Sequence, residues 1–149
     1  MFLRLMILSL IFTLPTSFLQ ATPLPARAFE RAELFANCSG RLSALAAHQD
    51  AQDDENAADT RRLSAEFAAL LSAVLPDALN QGVPAGQAKR WRSTGWVEIA
   101  VLLRETQYSF DQRRTDAADQ QLVTRIATCK RLILPAETAK TDAQDNTTH

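Results

Sequence analysis

The chain has 149 residues, with 16 basic and 17 acidic side chains and a formal charge of −1. That length supports one core and not two, and the near-neutral balance excludes the strongly basic footprint of a nucleic-acid-binding domain. Two cysteines, Cys38 and Cys129, and two histidines, His48 and His149, bound the sulfur and imidazole chemistry narrowly.

The first element is expected to be removed before folding, an uncleaved N-terminal anchor being the alternative. Leu5 to Leu14 is apolar except for Ser9 and Thr13, follows Arg4 and is broken by Pro15. About ten residues fall well short of the roughly 20 that a membrane-spanning helix needs. Ala26-Arg27-Ala28 then supplies a small-x-small signal. The pattern predicts a secretory signal peptide over residues 1–28, cut before Phe29, with a cut after Ala21 as the alternative. No cysteine closes the apolar run, so a released rather than lipid-tethered chain is expected. Taking 28 from 149 leaves 121 residues; the loss of Arg4 and Arg27 with no acid takes the charge from −1 to −3. Alanine is abundant and only Lys89, Lys130 and Lys140 are lysines, a bias associated with GC-rich bacterial coding. A periplasmic protein is the expected context, with full secretion as the alternative.

The first mature helix is predicted over Glu30–Gln49, where Leu34, Phe35, Cys38, Leu42, Leu45 and Ala46 share one face at about 100° per residue. On another side run Ala36, Gly40, Ser43 and Ala47. A helix-interior glycine costs about 1 kcal/mol against alanine, so Gly40 either admits a neighbouring backbone or merely loosens the helix. Asp50 to Asp59 contains five acids but lacks the alternating register, turn glycine and distal glutamate of a calcium loop. It reads as a loop plus an acid-rich first turn, with Asp53 or Asp54 capping free N–H groups.

The second helix, predicted over Glu55–Leu75, places Leu63, Phe67, Leu70, Leu71 and Val74 in a stripe. Arg62 and Glu66 are spaced as an exposed i, i+4 pair. Pro76 is expected to end it, leaving Pro76 to Pro84 as the connection. The third helix, about Ala85–Asp111, has Trp96, Ile99, Leu103 and Phe110 as its expected core face, with Trp91 and Leu102 on a flank. On the far side Val97, Val101 and Tyr108 line up between Arg90, Arg104 and Glu105. A helix apolar on two sides is sandwiched between neighbours or presents a surface to a partner; sandwiching is the ordinary reading.

The fourth helix is expected to begin between Asp111 and Thr115, capped by one of the two. Its stripe is Ala118, Leu122, Ile126, Cys129 and Ile133, and Lys130 and Arg131 suit its C-terminal dipole. Pro135 should close the bundle domain, 29–135, and the polar stretch 136–149 reads as a disordered tail. Together the elements predict an all-α, antiparallel up-down-up-down four-helix bundle. First and last helices are then neighbours, and Cys38 and Cys129 differ in level by only about 6 Å at 1.5 Å per residue. Both lie mid-stripe, so a Cys38–Cys129 disulfide is expected in an exported chain. A redox role is disfavoured because there is no C-x-x-C and both cysteines belong to the core.

Chemical motifs are absent. Met1 and Met6 leave with the signal peptide, and no C-x-x-C-H exists, so no haem site can be built. The E-x-x-H pairs of di-iron bundles are missing. Ser43 and His48 sit about 140° apart on one helix and cannot hydrogen-bond there. No glycine-rich phosphate loop occurs, and no tetratricopeptide pattern. No cofactor or metal is expected. These features predict a non-enzymatic exported binding or interaction module, with Trp91, Val97, Val101 and Tyr108 as its candidate surface for a protein partner or a homodimer through the third helix. The alternative is a carrier that holds a small apolar ligand between helices, with Trp91, Trp96 and Phe110 as walls.

Overall fold

The computed structural model describes residues 24–133, which form helices α1 (Ala28–Asp50), α2 (Ala57–Asn80), α3 (Gln87–Tyr108) and α4 (Gln112–Ile133). The four-helix bundle and its helix order are as the sequence predicts. The expected signal segment before residue 24 and the expected tail after Ile133 lie outside the described residues.

α1 is the hub. It packs against α2 on one side and α3 on another and meets α4 near the disulfide, while α4 lies chiefly along α3 and α2 barely meets either. The composition of α1 permits this. Its large apolar residues Phe35 and Leu42 are buried, and so are Ala32, Ala36, Ser39, Gly40, Ala44 and Ala46. Small residues around a helix let neighbours approach from more than one direction. Toward α2 the contact is ordinary side-chain packing: the Phe35 and Phe67 rings lie 6.2 Å apart between centroids, and the Ser64 hydroxyl donates to the Ser39 carbonyl at 2.9 Å. Toward α3 the backbones themselves meet. A Cβ on Gly40 would stand 2.0 Å from the Arg92 carbonyl oxygen, and one on Gly95 would stand 2.3 Å from that of Asn37. Of the two readings open for Gly40, close approach is the one realised.

The helix ends follow local chemistry, with one correction. Pro76 does not end α2, which continues to Asn80. A proline inside a helix forfeits one backbone hydrogen bond, but Pro76 is exposed and Ala78 beyond it is fully buried. The stop comes at Gly82, with φ +92°, where the Val83 N–H donates to the Ala78 carbonyl at 3.1 Å. This is the 6→1 bond of a Schellman motif, and Val83 packs on the core beside it. At the start of α4, Asp111 Oδ1 accepts the Arg113 N–H at 3.0 Å, so Asp111 is the cap of the two foreseen. α1 opens at Ala28, which is 2% exposed. A cut before Phe29 would remove this buried first residue, whereas one after Ala21 would leave the helix whole.

Candidate functional site

The disulfide is formed. Cys38 and Cys129 Sγ atoms are bonded across 91 residues of chain, with Cα atoms 5.6 Å apart and both side chains at 0% exposure. Around it the interior is closed by Phe35, Leu42, Phe67, Ile99, Leu103 and Ile126.

Above that core lies a three-helix ion network that the sequence did not disclose. Glu98 on α3 accepts from Arg41 Nε of α1 at 2.8 Å and from Arg125 Nε of α4 at 2.8 Å. Arg41 is 14% exposed and Glu98 26%, so both lean on the bond more than a surface pair would. Only the far separation of these residues in the chain hides them; no periodicity links position 41 to 98 and 125.

The third helix departs most from expectation. Ile99 and Leu103 are buried as predicted, and Trp91 and Leu102 pack partly against the core. Trp96, expected in the core face, is 45% exposed, and Phe110 lies beyond the helix end, fully exposed. The cause is the glycine crossing: where the backbones of α1 and α3 touch at Gly40 and Gly95, no space remains for an indole between them. Val97, Val101 and Tyr108 are 53%, 42% and 72% exposed. The helix is therefore not sandwiched on this side. Trp91 stands apart from the other three candidates, half-buried on the flank.

The charges of α3 are sorted as well. Its two acids, Glu98 and Glu105, pair with Arg125 and Arg114 of α4, the latter at 3.9 Å. Around the outer arc stand Arg90, Arg104 and Glu105. Between them runs the strip Val97, Val101, Tyr108, with Trp96 about 100° away on the neighbouring face.

Elsewhere the clefts are open and polar. One of about 530 Å³ lies where α2 and α4 diverge over α1, lined by Leu45, Gln49, Asp59, Arg62, Glu66 and Lys130 among others. Arg62 pairs there with Asp59 at 3.2 Å rather than with Glu66 as its spacing suggested. Gln49 Oε1 is buried at this end of α1 and meets no hydrogen-bond partner among the described residues. Close by, hydrogen bonds from the Asn56 backbone N–H and side-chain amide hold the Asp54 carboxyl below the usual aspartate range. Asp54 thus braces the turn before α2 but does not cap the helix as expected of it or Asp53: Asn56 stands at the N-cap, and no side chain caps the first turn. His48 is half-buried in the last turn of α1, Ser43 is exposed, and Asp50 is engaged by Arg61. Among the described residues no group of three or more His, Cys, Asp or Glu side chains could hold a metal ion, and no helix is long and apolar enough to cross a membrane.

Fold and linkage together define a class: a four-helix bundle whose first and last helices are joined by a disulfide. The chain matches no protein-family model, no curated protein and no solved structure.

Proposed function

We propose that this is an exported, non-enzymatic interaction module that receives a protein partner on the outer face of α3. The observation that carries the reading is the strip Val97, Val101, Tyr108, with Trp96 exposed on the neighbouring face. The core is closed without these residues, yet all four are 42–72% exposed on one rod. Isolated surface apolar residues need no explanation; Val97, Val101 and Tyr108 run along one helix edge beside Arg90, Arg104 and Glu105, and such a run is the pattern of an interface. A buried disulfide fits an oxidising compartment, for which the envelope or periplasm of a bacterium is the setting proposed. With Trp96 and Phe110 both exposed, the rings named as walls for an apolar ligand do not enclose one, which favours a surface over a carrier.

Val101→Glu tests the reading. The side chain is outside the core, so helicity and thermal unfolding should stay at wild-type values while capture of partner from envelope extracts is lost. Retained capture by the folded variant, or unfolding of the variant, overturns the assignment of this strip.

A further inference from the structure

The described bundle is neutral but polarised along its axis. Bases and acids are equal in number over residues 24–133. Cut at the helix midpoints, the end that carries the starts of α1 and α3 and the finishes of α2 and α4 comprises residues 24–39, 69–97 and 123–133, with eight bases and three acids. The other end, 40–68 and 98–122, has six bases and eleven acids. One pole is therefore +5 and the other −5.

Ion pairing sharpens the division. At the acidic pole Arg41, Arg61, Arg62, Arg104 and Arg114, five of its six bases, each have a carboxylate within 4.0 Å. At the basic pole Arg27 and Arg125 do, the second of them at the waist with Glu98. Lys89, Arg90, Arg92, Lys130 and Arg131 are exposed there and form no ion pair among the described residues. Three of these five crowd the first turns of α3, where no acid offsets them and the helix dipole opposes them. Helix stability does not account for their position.

Two of the three line a cleft. It opens between α2 and α3 with a volume of about 520 Å³, lined by apolar Ala68, Leu71 and Ala88 and by Ser72, Lys89, Arg92 and Ser93, with no acid. Arg92 is oriented from the interior, since its Nε and Nη2 donate to the Ser39 hydroxyl at 3.4 and 3.3 Å and Ser39 is 1% exposed. Paired cations with hydroxyls beside them suit a phosphate group.

We infer that the basic pole docks on an anionic lipid surface, with a headgroup phosphate entering the α2–α3 cleft between Lys89 and Arg92. Of the proposed function this uses only export, which favours lipid over nucleic acid as the source of phosphate. Topology presents the same end: α1 starts at this pole, at Ala28, shortly after the apolar run Leu5–Leu14 that export carries into the membrane. A charged lipid surface attracts each Lys or Arg within a Debye length, about 8 Å at physiological salt. The acidic pole, about 30 Å away along a 22-residue helix at 1.5 Å per residue, lies outside that range and does not cancel the attraction.

Vesicle sedimentation of the exported chain, its disulfide intact, tests this. Vesicles of phosphatidylcholine with phosphatidylglycerol should bind the chain and pure phosphatidylcholine should not, and added salt should release it. Lys89→Glu combined with Arg92→Glu should weaken binding about tenfold or more at unchanged helicity. Arg113→Glu combined with Arg114→Glu, the same change in net charge at the acidic pole, should leave it unaltered. Indifference to phosphatidylglycerol overturns the inference, as does equal loss in the two double variants or tighter binding to a DNA duplex than to vesicles. Salt-sensitive self-association in place of vesicle binding would put the acidic pole of another copy on this surface and refute the lipid. A chain recovered from the periplasm that ignores both kinds of vesicle refutes the docking and leaves export standing.

Discussion

The two faces of α3 are held by opposite means. Against α1, the contact at Gly40 and Gly95 is backbone on backbone, with the Arg41–Glu98 pair beside it. Against α4, the contact is made by two arginine–glutamate pairs and a few apolar side chains; Ala118, Ile126 and Cys129 are the buried residues of a 22-residue helix. A seam of direct backbone contact has no slack. One made of long charged side chains tolerates displacement and depends on something else to fix it, here the disulfide to α1. α1, α2 and α3 hold together chiefly by packing, whereas α4 adds the disulfide to a smaller buried face.

Removing the covalent bond should have the largest effect. Closing a loop of 91 residues stabilises a fold by about 4 to 5 kcal/mol on the chain-entropy model, less any native strain. Cys38→Ala with Cys129→Ala should lower stability in urea by about 4 kcal/mol. In hydrogen exchange, α4 amides should lose protection well before those of α1 and α3; uniform loss would contradict the division drawn above.

Adding one methyl group to the tight seam should rank second. Gly95→Ala gains about 1 kcal/mol of helix propensity, but its Cβ meets the Asn37 carbonyl and the rods must part. Overpacking of this kind costs about 1 to 3 kcal/mol and sometimes more. A net loss of about 2 kcal/mol in denaturant titrations is expected, and a stabilised variant would show that the rods separate freely. The smallest effect belongs to the charged seam. Glu98→Gln leaves Arg41 and Arg125 without their shared carboxylate and should cost about 1 to 2 kcal/mol, read by thermal unfolding at low and high salt. The wild-type advantage should shrink as salt rises.

The fold was legible because helix periodicity and breakers act over a few residues. The stripe of α1, the stripe of α4 and the mid-stripe placement of Cys38 and Cys129 together forecast the disulfide and the order of helices. Pro76 misled because an exposed proline can be carried by a buried residue beyond it, and Ala78 is that residue. Trp96 misled for a deeper reason. Size and hydrophobicity assign an indole to a core, but space decides, and the space beside Trp96 is set by Gly95 meeting Asn37 on a distant helix. The strip Val97, Val101, Tyr108 was visible as a second apolar side. What covers it was not, since occupancy of a face depends on how many neighbours the helices supply. The Arg41–Glu98–Arg125 network was invisible, because nothing local marks three charges that meet only after folding.

The bond between Cys38 and Cys129 makes a closed ring of everything from the middle of the first rod to the end of the last. The turns at residues 51–56, 81–86 and 109–111 all belong to that ring. A protease nick at any one of them opens the circle and releases no fragment, so both pieces remain on a single covalent frame with their packing surfaces in register. Gels run without reductant would show a nicked molecule at unchanged mass, and only a thiol would reveal the cut.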